Sequence, residues 1–254
     1  MTVPVKSPVV KVGVYVDAFN LYYGGRSHCG RSTAGWRWLD IRAMVSRFAQ
    51  WPGASIGPVV YCTARVSQAD SPSARVDQDI YIAALLASGS VTEVVEGHYV
   101  SWAKTEPLTA LGSRPRSPAL HPATGNESLD PSLPLMHAGD RAGTLRVMAT
   151  IRRIEEKGSD VNVATRLLSD VLTGTVDAAV VVSNDSDLAL PVKIARDHVP
   201  VGLLNPRNGP LAGALRGSPT DGVGQHWWTP LSAADFTSHQ LPDPVGKYRK
   251  PAGW

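Results

Sequence analysis

DAAVVVSNDSDL, residues 177–188, is the stretch that decides the predicted fold. Its first half is a short β-branched run, which is typical of a strand buried on both faces. Such strands belong to parallel sheets, and parallel strands need long crossover connections, usually helical. Its second half places polar and acidic side chains directly after the strand. The stretch therefore predicts an α/β protein with functional groups at the end of a strand.

The same alternation of strands and helices extends in both directions along the chain. Strands are predicted at residues 9–16, 59–63, 91–100, 145–154, 177–183 and 199–204. A strand-to-helix junction is predicted at residues 17–20, and helices are predicted at residues 40–48, 80–87, 160–172, 187–197 and 232–238. This order predicts a three-layer α/β/α, Rossmann-like fold with a mainly parallel central sheet.

Composition suggests how this fold is divided. Residues 103–143 contain six prolines and four glycines, which predicts a long surface insertion rather than core elements. We predict one domain over residues 9–206 that carries this insertion, followed by a partly irregular C-terminal extension at 207–254. The length of 254 residues is compatible with one hydrophobic core.

Charge and cysteine content narrow the function classes. The formal net charge of +3 is mildly basic and compatible with an RNA partner. Two cysteines without paired spacing indicate neither a disulfide framework nor a thiolate zinc site. No apolar run reaches membrane-spanning length, so we predict a cytoplasmic protein without a membrane partner. A homodimer or a protein partner stays open.

Several catalytic motifs are absent from the chain. There is no GxxxxGK[ST] phosphate loop, no GxGxxG after a strand and no GxSxG elbow. The seven histidines show no paired ligand spacing. A phosphatase of the haloacid type would need a second aspartate two residues after Asp17, where the chain has Phe19. The acidic residues are left as the main candidates for chemistry.

Four aspartates are expected to meet at the carboxyl edge of the sheet. Asp17 ends the first strand, Asp160 opens a helix, and Asp185 and Asp187 follow the buried strand. Carboxylates this close repel one another unless a cation compensates their charge. Oxygen ligands without histidine or cysteine favour Mg²⁺ or Mn²⁺. The sequence therefore predicts a divalent-metal site.

Helix capping is an alternative role for these residues. Aspartate is a preferred N-cap, and Asp17, Asp160 and Asp185 each precede a predicted helix. The two roles are compatible, because a helix N-terminus stabilises a negative charge. Capping does not explain Asp187, because a second acidic residue two positions after Asp185 is not needed to cap the helix. Asn20 is either a turn former or a site ligand.

Three stretches resemble motifs of the NYN family of PIN-like nucleases, in its LabA-like branch. They are VYVDAFNLY at 14–22, KGSDVNVA at 157–164 and the stretch at 177–188. The resemblance implies a PIN-like fold in which the four aspartates form a metal pocket, with Asn20 and Ser183 assisting. Asn184 and Leu188 depart from the family pattern, where glycine and an aromatic residue are common.

The family resemblance implies a metal-dependent ribonuclease. Aspartate-bound Mg²⁺ or Mn²⁺ would activate water for the hydrolysis of RNA. Candidates for guiding the RNA backbone are Lys157, Arg65, Arg75 and Arg152, although each also fits a solvated basic surface. The alternative is a non-catalytic RNA-binding or regulatory protein with the same fold.

Overall fold

The computed structural model describes residues 9–112, 114 and 118–254. Part of the predicted insertion, residues 113 and 115–117, lies outside this range, as do the first eight residues. Two compact units are present. The first unit combines the described residues up to His98 with Glu156–Trp254, and the second unit is Tyr99–Glu155.

The described residues form eight strands and six α-helices. The strands are β1 (Val10–Asp17), β2 (Ala54–Ala64), β3 (Glu93–Pro107), β4 (Leu135–Gly139), β5 (Leu145–Lys157), β6 (Ala178–Val182), β7 (Val201–Asn205) and β8 (Trp227–Pro230). The helices are α1 (Ala18–Cys29), α2 (Ile41–Ser46), α3 (Pro72–Ala87), α4 (Ser159–Leu172), α5 (Ala189–Arg196) and α6 (Ala233–Thr237). Two short 3-10 turns occur at Ser186–Leu188 and Gly213–Leu215.

The strands of the first unit are parallel and follow the order β3-β2-β1-β6-β7-β8. β1 is central, and Val16 lies opposite Val182 of β6 while Asp17 lies opposite Cys62 of β2. The predicted α/β fold with a mostly parallel sheet is confirmed. Because neighbouring parallel strands end at the same edge, the residues that follow β1 and β6 are neighbours.

Hydrophobic residues are buried on both faces of this sheet. Alternate side chains of a strand point to opposite faces. Val14 and Val16 accordingly join one core cluster with α1, α2, α3 and α6, whereas Tyr15 joins a second cluster with α4 and α5. Helices therefore cover each face, as the connections between parallel strands require.

The second unit contains a β-ladder that the sequence did not predict. β4 pairs with β5 in antiparallel register, with Leu135 opposite Ala149 and Gly139 opposite Leu145. β4 lies inside the stretch 103–143, for which we expected no core elements. Pro131 and Pro134 precede β4, Gly139 ends it and Gly143 follows it, so composition averaged over the whole stretch obscures this short strand.

Other differences concern the bounds of a predicted helix and the C-terminal region. Residues 187–197, predicted as one helix, form the 3-10 turn Ser186–Leu188 followed by α5. The C-terminal region 207–254 supplies β8 and α6 to the first unit, and only the helix was predicted. No helix among the described residues combines the length and the apolar character needed to cross a membrane.

Gly202 of β7 provides a test of the packing between β7 and β8. A Cβ atom at this position would lie 2.2 Å from Cζ2 of Trp227. We expect Gly202→Ala to lower the free energy of unfolding by about 1–3 kcal/mol, because overpacking forces neighbouring groups to move. Urea denaturation followed by tryptophan fluorescence measures the change.

Gly209→Ala is the matched control, because a Cβ there would meet no atom within 4 Å. Equal destabilisation by the two substitutions would contradict the packing of Trp227 on Gly202.

Candidate metal centre

Asp17 ends β1 and caps α1, and its side chain is only 2% exposed. One carboxylate oxygen, Oδ1, accepts the backbone N–H of Asn20 at 3.0 Å. The other, Oδ2, accepts Nδ2 of Asn20 at 2.7 Å and Oγ of Ser183 at 2.9 Å. A buried carboxylate needs such donors to stay ionised. The bonds also hold it in a defined orientation.

Asp185 follows β6 and caps the 3-10 turn through a bond from the backbone N–H of Asp187 to Oδ1, at 3.0 Å. Its own backbone N–H donates to Oγ of Ser183 at 3.1 Å. Ser183 therefore links the loop after β6 to Asp17. This linkage places the carboxylate of Asp185 beside that of Asp17.

Asp160 reaches the same edge from α4. It is the second residue of this helix, and the N-cap is Gly158 rather than an aspartate. Gly158 has a φ of 99°, a conformation that glycine adopts without steric cost. The turn at Gly158 starts α4, so that Asp160 lies in the first turn of this helix. The helix dipole favours a negatively charged side chain at this position.

The carboxylates of Asp17, Asp160 and Asp185 meet, and we call them the three-carboxylate cluster. Each offers one oxygen, and these oxygens lie within 4.8 Å of one another. Oxygens bound to one cation at 2.0–2.6 Å are separated by distances up to about this value. All three donors are hard oxygen ligands, so the residues fit Mg²⁺ or Mn²⁺.

Burial and mutual repulsion make the ionised form of these carboxylates less favourable. Burial raises the pKa of Asp17, against the opposing effect of the hydrogen bonds from Asn20 and Ser183. Burial also raises the pKa of Asp160 to about 6, with further contributions from the negative charges of Asp17 and Asp185. A bound cation would offset both effects, because it favours the ionised carboxylates.

The predicted assisting residues are in place, whereas one predicted ligand lies apart. Asn20 and Ser183 contact Asp17 directly. Asp187 is exposed. Among the described residues, the group of carboxylates close enough to share a cation does not include it. Its negative charge still contributes to the raised pKa of Asp160.

The predicted basic residues have structural partners. Arg65 pairs with Glu96 at 2.8 Å and with Asp79, and Arg75 pairs with the same Asp79 at 3.0 Å. Arg152, in the second unit, donates to Oγ of Ser101 at 2.8 Å. The contacts of Arg65 and Arg75 neutralise their charges, which weakens their case as phosphate guides. Lys157 ends β5, three residues before Asp160.

Arg207 is a site residue that sequence reasoning missed. It follows β7, is exposed, and donates from Nε to Oδ1 of Asn20 at 2.9 Å. The close approach depends on Gly24 of α1, where a Cβ would lie 2.2 Å from the carbonyl oxygen of Pro206. The one signal in the sequence was the position of Arg207 just after a strand that ends at the same edge.

Asn184, a departure from the family pattern, also has a structural role. Its Oδ1 accepts the backbone N–H of Ala212 at 2.7 Å, and its Nδ2 donates to the carbonyl oxygen of Pro210 at 3.1 Å. Its backbone N–H donates to Oδ1 of Asn20 at 3.3 Å. Asn184 thus joins the loop after β6 to the loop that carries Arg207.

Comparison with known proteins gives a separate indication of function. No family model matches the chain. The chain is 27% identical, over 274 aligned positions, to 6-hydroxy-3-succinoylpyridine 3-monooxygenase HspA of Pseudomonas putida (strain DSM 28022 / S16). The alignment covers 98% of this chain and 76% of the relative. A solved structure of a protein of unknown function from Vibrio parahaemolyticus RIMD 2210633 covers 91% of this chain and 98% of its own, at 16% identity and a TM-score of 0.46.

The named relative is a monooxygenase. This similarity, which spans nearly the whole chain, points to an oxidoreductase and contradicts the predicted ribonuclease. The physical reason for the error is that acidic residues at a sheet edge indicate where a hard cation can bind. They do not indicate which reaction takes place there, since one fold and one type of site support different chemistries.

Cation binding by the three-carboxylate cluster can be tested without an activity assay. On metal-stripped protein, we expect Asp160→Asn and Asp185→Asn each to weaken Mn²⁺ binding by about tenfold or more, because each removes one charged ligand. Isothermal titration calorimetry measures the affinity. Asp187→Asn is the matched control and should change the affinity by no more than about twofold. An equal loss in all three variants would contradict the three-residue site.

The raised pKa of Asp160 predicts a pH dependence. The ordinary value is 3.8 and the folded, metal-free value is about 6, so the folded state binds more protons between these values. Stability of the metal-free protein should therefore fall as pH rises from about 4 to 6. Mn²⁺ affinity should fall by up to about tenfold per pH unit as pH decreases below 6, because the cation competes with the proton.

Thermal unfolding and Mn²⁺ titration between pH 4.5 and 8 check both trends. Asp160→Asn should reduce the pH dependence of stability in this window, and the remaining dependence should come from Asp17, whose pKa burial also raises. A variant that keeps the wild-type profile would show that another group is responsible.

Proposed function

We propose that this protein is an oxidoreductase of the monooxygenase type, with its reaction centre at the three-carboxylate cluster. The observation that carries the proposal is the similarity to a monooxygenase over 98% of the chain. In such a reaction one atom of dioxygen is incorporated into the organic substrate and the other is reduced to water. Two protons and two electrons are consumed, and the electrons would come from a reduced nicotinamide or flavin supplied as a co-reactant.

The site geometry supports a divalent cation, and we propose Mg²⁺ or Mn²⁺. Asp17, Asp160 and Asp185 would hold it, since their oxygens lie within 4.8 Å of one another. When bound, the cation would coordinate an oxygen of the substrate and stabilise negative charge on it. Asn20 and Ser183 keep the carboxylate of Asp17 oriented throughout, through the bonds at 2.7 and 2.9 Å.

Arg207 supports an acidic substrate. The named relative acts on a pyridine that carries a succinoyl group, and a succinoyl group ends in a carboxylate. Arg207 is exposed, and its Nε contacts Asn20 while its two Nη groups have no partner among the described residues. A guanidinium can bind a carboxylate with two parallel hydrogen bonds. We therefore propose that the substrate is a small aromatic acid whose carboxylate binds to Arg207.

Helices on both faces of the sheet and the meeting of three motif aspartates support the finer fold assignment. We accordingly propose the three-layer, PIN-like arrangement and the relationship to the NYN family for this chain. RNA binding, a homodimer and a cytoplasmic location stay predictions.

An oxygen-labelling experiment tests the proposal. Purified protein is incubated with ¹⁸O₂, reduced nicotinamide and flavin, a panel of hydroxypyridines with and without an acidic side chain, and Mn²⁺, Mg²⁺ or EDTA. We expect one labelled oxygen atom per product molecule, detected by mass spectrometry. The rate should fall at least about a hundredfold with EDTA or with Asp185→Asn, because the cation site is lost.

Two variants separate the parts of this proposal. Asp187→Asn should keep most of the activity, since Asp187 lies outside the cluster. Arg207→Gln should raise KM for acidic substrates by about tenfold while kcat changes little, because it removes uniform binding. Labelled product formed equally well with EDTA would reject the metal centre. Absence of labelled product from every substrate, with protein that binds Mn²⁺ normally, would reject the monooxygenase assignment and leave the metal site standing.

A further inference from the structure

A cleft of the first unit, separate from the three-carboxylate cluster, lies beside α5 and contains several charged side chains. We call it the α5 cleft. Its volume is about 520 Å³, within the range of small-molecule sites. α5, the 3-10 turn Gly213–Leu215 and residues 216–222 form its walls. Its charged lining residues are Lys193, Arg196, Asp197, Arg216 and Asp221.

Arg196 is the unusual residue of this cleft. It is 7% exposed, its Nη2 donates to the carbonyl oxygen of Leu215 at 3.1 Å, and its Nε has no hydrogen-bond partner among the described residues. No ion pair joins it to a carboxylate within the part of the chain that the structure describes. Burial lowers the pKa of the guanidinium, which nevertheless keeps its charge at neutral pH. The cleft thus contains a buried guanidinium with an unused donor, whose charge is offset in part by the nearby carboxylate of Asp221.

The burial of Arg196 depends on two glycines of the loop that covers it. A Cβ at Gly217 would lie 2.2 Å from Nη1 of Arg196, and a Cβ at Gly222 would lie 2.2 Å from its carbonyl oxygen. Gly222 also has a φ of 50°, in the left-handed region. The loop therefore packs on Arg196 at a distance that only glycine allows at these two positions.

The other charged residues of the cleft leave its positive charge in excess. Lys193 precedes Arg196 by three residues on α5, so the two side chains lie on the same side of the helix. Lys193 and Arg216 are exposed and can move toward a ligand. Asp221 is held within its own loop, where Oδ2 accepts the backbone N–H of Ser218 at 2.7 Å. Three cations therefore stand against two carboxylates.

We propose that the α5 cleft binds an oxyanion, the phosphate or carboxylate group of a small molecule, through Arg196, Lys193 and Arg216. The cleft has one more cation than it has carboxylates and contains a buried guanidinium with an unused donor, and an oxyanion supplies both negative charge and acceptor atoms. The proposal concerns residues other than the three-carboxylate cluster and does not rest on the proposed function.

Binding of inorganic phosphate to the full-length protein tests the site. We expect phosphate to raise the midpoint of thermal unfolding above that in sodium chloride of equal ionic strength. Isothermal titration calorimetry should show that the double variant Lys193→Gln with Arg216→Gln binds phosphate about tenfold more weakly. Both positions are exposed, so this variant should fold normally. Arg249→Gln, at an exposed position outside the cleft, is the matched control.

Two further arms identify the ligand class and the role of the buried arginine. Succinate in place of phosphate distinguishes a carboxylate ligand from a phosphate ligand. Arg196→Met should abolish binding, because it removes the central cation of the cleft, and the midpoint of thermal unfolding of the ligand-free variant checks that it folds. Equal binding by wild type and double variant, or no effect of either oxyanion beyond that of chloride, would overturn the proposal.

Discussion

The buried carboxylate of Asp17 is the constraint on which the candidate site depends. Its three hydrogen bonds, two from Asn20 and one from Ser183, connect β1 and α1 to the loop after β6. An ionised group this deeply buried is tolerated only with such donors. The bonds that satisfy it also determine where Asp185 lies, because Ser183 contacts both residues. The hydrogen bonds that stabilise the buried Asp17 therefore also position Asp185 at the same edge of the sheet.

The residues at this edge explain why the motifs correctly indicated a cluster of carboxylates and yet led to the wrong reaction. The three motifs describe a place where negative charge accumulates and a hard cation fits. Hydrolysis of RNA and insertion of oxygen could both use such a place, so the motifs alone could not choose between them. The similarity to a monooxygenase contradicts the hydrolysis of RNA and is the basis of the proposed oxidoreductase function, and the exposed Arg207 beside Asn20 is the basis of the proposed acidic substrate.

The main elements and the position of the site were predictable for a local reason. Runs such as residues 178–182 and the helical periodicity of residues 160–172 reflect burial on a strand or helix face, which acts on each segment separately. The convergence of Asp17 with Asp185 also followed, because parallel strands end at a common edge. β4 escaped prediction because its antiparallel pairing is a long-range contact within a stretch rich in turn residues.

The α/β order of elements and the convergence of Asp17, Asp160 and Asp185 follow from the amino-acid sequence alone, because periodicity, capping and strand direction are properties of neighbouring residues. Tertiary packing places Asp187 outside the cluster, brings Arg207 to Asn20 across 187 positions, and buries Arg196 with its Nε unpaired among the described residues. These outcomes depend on how helices and loops pack on one another. Close approaches such as that of Gly24 to Pro206 set the final side-chain distances.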